Sequence, residues 1–368
     1  MRRRRSSLVA AVLVATLLGV LAPGAAAGAG AAVSGNPFSG AGWFLDRPTL
    51  AAAQAADAAQ GSTAAALERI AATPQSLWFV ASDDPASSGY VRGFFRRADA
   101  DPGKIVFITL HGLPQQVCAG ENAPGASDEA AYRRWIDGYA QLIGSRRAVV
   151  FLEPDALAAS RCLSAAARRV RFALMTYAVR TLSALPGTAV YEDAGAGDWR
   201  SVRDAAALLR AAGVRYARGF ALNATHYDWT ASEVAYGARV SRLVGGKHFV
   251  VNTAFNGRGP LVRNRFHVWC NPGGRSLGPL PTTTTGNRLA DAFFWTGNPG
   301  LSDGHCNGGP NVGTFWESWA LELVRDTHGA RDFPALTFHN APTPRLTRRS
   351  PPSPPSRTTL AWWHGPPP

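Results

Sequence analysis

Val149-Val150-Phe151-Leu152-Glu153-Pro154-Asp155-Ala156-Leu157 is an apolar, β-branched run that stops on two acidic residues bracketing a proline. An apolar strand that ends on a carboxylate is how a barrel or an open α/β sheet delivers an acid to the carboxyl end of its strands. Asp155 is therefore the first candidate for chemistry. Working outward, similar short apolar runs recur at 77–80, 105–110, 189–191, 219–222, 249–251 and 292–295, separated by Ala-rich stretches of helical period. Residues 128–143 set Ala131, Trp135, Tyr139 and Leu142 on one face, and 164–185 read as a second helix whose start follows Cys162. Strand alternating with helix predicts right-handed crossovers and a parallel sheet buried on both faces. Seven such units with no second core predict an α/β fold closed as a single TIM-like barrel.

The residues immediately after each strand are more telling than the strands themselves. Glu153 and Asp155 follow the third, Glu192 and Asp193 the fourth, and Asn223 the fifth. Asn252 ends the sixth, and the Gly-rich loop 297–304 with Asp303 follows the seventh. In a barrel these positions converge on one rim, where loops vary over fixed strand ends. Any single acid there could simply cap a turn or helix; carboxylates on several units weaken that reading.

The two ends are set apart by composition. Arg2 to Arg5 precede an apolar run at 8–21 and a small-residue region at 25–32, so residues 1–32 read as a secretory signal peptide. The apolar core is shorter than the roughly 20 residues that span a bilayer, so no stable membrane insertion is expected after cleavage and the product is expected outside the cell. Residues 333–368 hold ten of the 26 prolines, four arginines and no acid, the composition of a disordered tail. The body is 33–332. Of the formal charge of +13, the four leading arginines and the four of the tail account for eight, leaving +5 for the body. That is too mild to suggest a nucleic-acid partner.

Cys118, Cys162, Cys270 and Cys306 suit two disulfides in an exported chain, with three connectivities open. There is no Cys-x-x-Cys and no His pair at i and i+4, so neither a metal site nor a cofactor is expected. Gly-x-Ser-x-Gly is absent too, and the Gly-rich stretches lack a strand–loop–helix frame, which argues against a serine nucleophile and against nucleotide binding. A carboxylate-lined rim beside many tryptophans points to glycoside hydrolysis, because one acid protonates the leaving oxygen while another carboxylate handles water. Indole faces also stack on sugar rings. Trp78, Trp199, Trp229, Trp269 and Trp295 all fall at or just past strand ends.

The motifs then carry a family resemblance. Val150 to Leu157, Asp193-Ala194-Gly195, Tyr227-Asp228-Trp229-Thr230, Asn256-Gly257-Arg258-Gly259-Pro260, Trp269-Cys270-Asn271-Pro272 and Pro299-Gly300-Leu301-Ser302-Asp303-Gly304 occur in order, from Asn36 to about Leu323. In this the chain resembles glycoside hydrolase family 6, the inverting endoglucanases and cellobiohydrolases of β-1,4-glucan. The resemblance implies a distorted seven-stranded parallel α/β barrel acting on a β-glucan polysaccharide or oligosaccharide; the chain is expected to act as a monomer. It implies Asp155 as general acid, Asp303 as candidate base and Asp193 between them. Trp78, Trp199 and Trp269 match sugar platforms, Asn223 matches a sugar-contacting position, and Trp229 joins them from its place near the rim. The implied disulfides are Cys118–Cys162 and Cys270–Cys306. The chain departs from the pattern at Val117 for an aspartate, His111 for a tyrosine, Ala196 for a histidine, Phe255 for an arginine, Gly297 for a lysine and Leu301 for a glutamate. These departures keep a second class open, a carbohydrate-binding relative with weak or no catalysis; Glu121 or His111 is the expected substitute in the proton relay.

Overall fold

A computed structural model describes residues 35–114, 125–264 and 266–327. The expectations for the signal peptide, the tail, Val117, Cys118 and Glu121 lie outside the described residues.

The seven predicted strands are β1 (Leu77–Val80), β2 (Val106–His111), β3 (Ala148–Leu152), β4 (Thr188–Asp193), β5 (Gly219–Leu222), β6 (His248–Asn252) and β9 (Ala290–Phe294). They pair in parallel in that order. Between them run α3 (Gly89–Asp99), α4 (Glu129–Ile143), α5 (Ala165–Ser183), α6 (Val202–Ala212) and α7 (Thr230–Leu243). Before β1 lie α1 (Ala51–Ala58) and α2 (Gly61–Ala71), and α8 (Glu317–Arg325) follows β9. Four of these five crossover helices start where the sequence supplies a side-chain acceptor for a free backbone N–H. Ser88, Asp128, Ser164 and Ser201 accept from Val91, Ala131, Ala167 and Asp204 respectively.

Alternation along each strand divides the side chains between two cores. Phe107, Phe151, Tyr191, Val250 and Phe294 fill the barrel interior with Phe38, which arrives from the chain's N-terminal side. Their neighbours Ile108, Val150, Val190, Phe220 and Phe249 face outward, into the helices. Each such side chain contributes about 1.5–3 kcal/mol through burial, which is why the strands read as unbroken apolar runs. Closure is uneven. Neighbouring strands share ladders, whereas the β1 edge meets the β9 edge through one parallel bridge, Gln75 to Trp295. Hydrogen bonds from Ser76 N–H to the Trp295 carbonyl (2.9 Å) and from the Trp78 indole to the Thr296 carbonyl (2.6 Å) brace this seam.

Two features differ from the sequence-based expectations. Trp295 is wholly buried, its indole N–H donating to the Pro279 carbonyl, so it belongs to the core and not to the rim. A short antiparallel hairpin, β7 (Leu261–Arg263) and β8 (Phe266–Val268), projects from the loop after β6.

Candidate active site

Three residues at strand ends adopt left-handed backbone: Glu153 (φ 54°), Asp155 (φ 67°) and Asn223 (φ 67°). Such strain costs about 1–3 kcal/mol per residue and persists where surrounding contacts over-determine it. The contacts are explicit. The Glu153 carboxylate is fully buried and accepts from the N–H groups of Gly112 (2.9 Å) and Leu113 (3.2 Å), tying the ends of β2 and β3 together. Burial pushes its pKa up to about 7 against those hydrogen bonds. Asp155 donates its own N–H to Asp193 Oδ1 (2.9 Å), and its Oδ1 accepts from the Thr225 hydroxyl (2.6 Å). Asn223 is entirely enclosed. Its amide serves the carbonyls of Asp228 and Asn252, and its oxygen takes the Asp228 N–H. It supports the floor beneath the rim and has no free group for a sugar.

Asp155, Asp193 and Asp303 come together electrostatically. Burial raises the pKa of Asp155, while Thr225 and the His226 charge work the other way. Asp193 is raised well above the carboxylate range, first by burial and then by the negative charge of Asp155. Its Oδ2 is buried without a hydrogen-bond partner, which adds to the cost of ionising it. Asp303 is pushed up to about 7 by burial, with Asp155 adding to the rise. Its loop is held by Asn271, whose N–H donates to Asp303 Oδ2 (2.9 Å) while its Oδ1 accepts from the Asp303 N–H (2.8 Å). The Cys270–Cys306 disulfide joins the same two loops. Cys162 is not a free thiol; the expected partner, Cys118, is outside the described residues.

Two histidines near the strand ends have pKa values shifted in opposite directions. His111 lies edge-on to Trp78 with ring centroids 5.7 Å apart, and its Nδ1 is 3.8 Å from Glu153, beyond hydrogen-bond reach. Burial lowers its pKa to about 4, so it is neutral at neutral pH and is not a charged substitute in the relay. His226 stacks flat on Trp199, with centroids 5.0 Å apart and planes 14° from parallel, and its Nδ1 is 2.9 Å from Asp198 Oδ1. The other Asp198 oxygen bonds His267 Nδ1 of β8. Sequence reasoning missed His226, Asp198, His267 and Thr225. The one available signal was a histidine and a threonine in the loop directly after β5.

The remaining tryptophans divide by exposure. Trp78 is half-buried and fixed by its N–H at the seam. Trp199 has one face on His226 and Arg200 lying 5.6 Å from the ring centroid. Trp229 and Trp269 expose 51 % and 43 % of their surface. Trp229 rests against Gly259, where an added Cβ would come within 2.1 Å of the indole. With φ at +65°, glycine there meets both the strain and the close approach. Among the described residues no group of three or more His, Cys, Asp or Glu is arranged to hold a metal ion.

A family model described as Glycosyl hydrolases family 6 matches residues 39–327. The chain belongs to glycosyl hydrolase family 6. Endoglucanase A of Cellulomonas fimi is 40% identical over 291 residues, which cover 79% of this chain and 62% of that protein. Endoglucanase 1 of Streptomyces halstedii is 33% identical, with 88% and 99% of the two chains covered. Among solved structures, the endoglucanase Cel6 from Mycobacterium tuberculosis, in complex with methyl-cellobiosyl-4-deoxy-4-thio-β-D-cellobioside, superposes with a TM-score of 0.75 at 40% identity, covering 79% of this chain and 99% of that one.

Within this family 6 chain, two of the departures from the family pattern are in contact. A Cβ at Gly297 would lie 2.6 Å from the Phe255 ring and 3.2 Å from the Ala224 carbonyl, and Phe255 in turn packs on Tyr227 with centroids 4.7 Å apart. The volume in which a long side chain from 297 would begin is thus filled by the phenyl ring. Ala196 is fully buried, and Leu301 pairs with Phe315 through an isolated bridge.

Proposed function

We propose that this chain is a secreted glycoside hydrolase that cleaves β-1,4-linked glucan by a single inverting displacement. The observation that carries the reading is the meeting of Asp155, Asp193 and Asp303 at one rim, with the pKa of each raised by burial. Three carboxyls that cannot all ionise together hold a proton near neutral pH, as a general acid requires. Asp155 gives that proton to the glycosidic oxygen as the C1–O bond breaks. Water attacks C1 from the opposite face and passes its own proton to Asp303, whose pKa of about 7 suits a base near neutrality. Asp193 keeps its proton and holds the Asp155 backbone. Trp229 and Trp269, exposed near the rim, offer faces for sugar rings.

The test is product analysis on a panel of soluble β-glucans with wild type and Asp155→Asn, reading the anomeric form of the first product by NMR. Wild type should release the α-anomer first, and the variant should lose about 10²–10⁴-fold in rate. Binding without release by either protein would establish a carbohydrate-binding role instead. A β-anomer as first product would remove inversion.

A further inference from the structure

Asp155, Asp193 and Asp303 account for the proton donor, its support and the base, but three titratable groups beside them remain unassigned. The Asp198 side chain is 4% exposed, and each of its oxygens takes one imidazole: His226 on Oδ1, His267 on Oδ2. Because both contacts are made through Nδ1, the carboxylate fixes both rings as Nδ1–H donors. Trp199 covers one face of the His226 ring, and Arg200 approaches Trp199. The residue before His226, Thr225, carries the hydroxyl that bonds Asp155. The same short loop after β5 therefore touches the acid directly and presents an imidazole beside it.

The geometry points to His226, clamped between Asp198 and Trp199, as the positioning residue that decides how the proton is distributed among Asp155, Asp193 and Asp303, with His267 acting on it through the shared Asp198 carboxylate. The inference rests on the reading of Asp155 as the acid. Electrostatics support it from both directions. The His226 charge lowers the proton affinity of all three carboxyls, in each case against their burial. Burial works against the charge on His226, yet Asp198, Asp155 and Asp193 together raise its pKa. Asp198, buried as it is, is held below the usual carboxylate range by its two histidines. Asp228 adds a negative charge next to Asp198 and His267. His267 comes from the hairpin, with a side chain 35% exposed. The site thus carries a cation that disappears as pH rises, relieving the three carboxyls of the charge that favours their ionised forms.

Two measurements test this. In pH–rate profiles, His226→Asn keeps a donor toward Asp198 without the charge, and both limbs should move up by about one pH unit. A purely structural role would lower the rate and leave the limbs in place, and that result would overturn the proposal. The second measurement follows the His226 imidazole by NMR titration and needs no turnover. Its midpoint should fall in Asp155→Asn, which removes the negative charge that Asp155 carries once its proton has left, and rise in His267→Gln, which removes a competing donor from Asp198. An unmoved midpoint in Asp155→Asn would sink the idea even if His226→Asn failed to fold. Failure of the underlying reading would look different: Asp155→Asn would keep wild-type activity whatever His226 did.

Discussion

Asp193 combines two jobs in one carboxyl. Oδ1 accepts from the N–H groups of Asp155 (2.9 Å) and Gly195 (3.0 Å), and Oδ2 is enclosed without a partner. Removing the side chain would orphan two buried donors and release Asp155 from its left-handed conformation. Asp193→Ala should therefore destabilise the fold by about 2–4 kcal/mol in urea titrations, at about 1–2 kcal/mol per orphaned donor. Asp193→Asn retains an acceptor for both N–H groups and should stay within about 1 kcal/mol of wild type. Equal losses for the two variants would mean that these hydrogen bonds do not hold the acid's backbone. Asp155 and Asp193 could be read from the sequence because they stand at or just past strand ends, where position along the chain fixes position in space, while Asp303, in the Gly-rich loop after β9, was picked out by the motif around it. His226 could not. Its partner Asp198 is 28 residues away, and His267, on the same carboxylate, lies 69 residues from Asp198. No periodicity links such positions.

Among the elements, the loops of Trp269 and Asp303 are the most heavily fastened. Besides the disulfide, Asn271 Nδ2 donates to the carbonyls of Gly304 (2.8 Å) and Cys306 (3.0 Å), and Asn307 donates to the Cys270 carbonyl (2.8 Å). A link closing 36 residues is worth about 3–4 kcal/mol by chain entropy. Cys270→Ser with Cys306→Ser should lower stability by roughly that amount, and activity should fall further because Asp303 loses its fixed distance from Asp155. A double variant with wild-type kcat would show that the asparagines alone hold the base. The seven barrel strands were legible because a strand buried on both faces must be apolar throughout. The β7–β8 hairpin was not. At three residues a strand, with Arg263 and His267 interrupting the apolar residues, it offers neither an apolar run nor a Gly-containing two-residue turn signal.

For the whole molecule, buried carboxyls govern the response to pH. Glu153 and Asp303 have folded-state pKa values of about 7, and Glu192, Asp193 and Glu233 are raised well above the ordinary value, in every case mainly by burial. An unfolded chain titrates these groups near 4. Between about pH 4 and 7 the folded state therefore binds more protons than the unfolded one, and stability falls as pH rises through that window. His111 opposes this. With a folded pKa of about 4 it favours folding more as pH climbs toward 6.5, but it is one group against several. The melting temperature should be higher at pH 5 than at pH 8, by about 5 °C or more. A scan in which it rises from pH 5 to pH 8 would show that the carboxyls are solvated when folded.

The contact between Phe255 and Gly297 bears on how such a chain can change over generations. A lysine placed at 297 alone would have to displace an aromatic ring wedged against Tyr227. An arginine placed at 255 alone would have to bury its charge over a bare glycine. Each step by itself meets a penalty that the two together avoid, so the pair is a ratchet. A long side chain can therefore enter at 297 only together with a change at 255, and the two positions exchange as a pair or not at all.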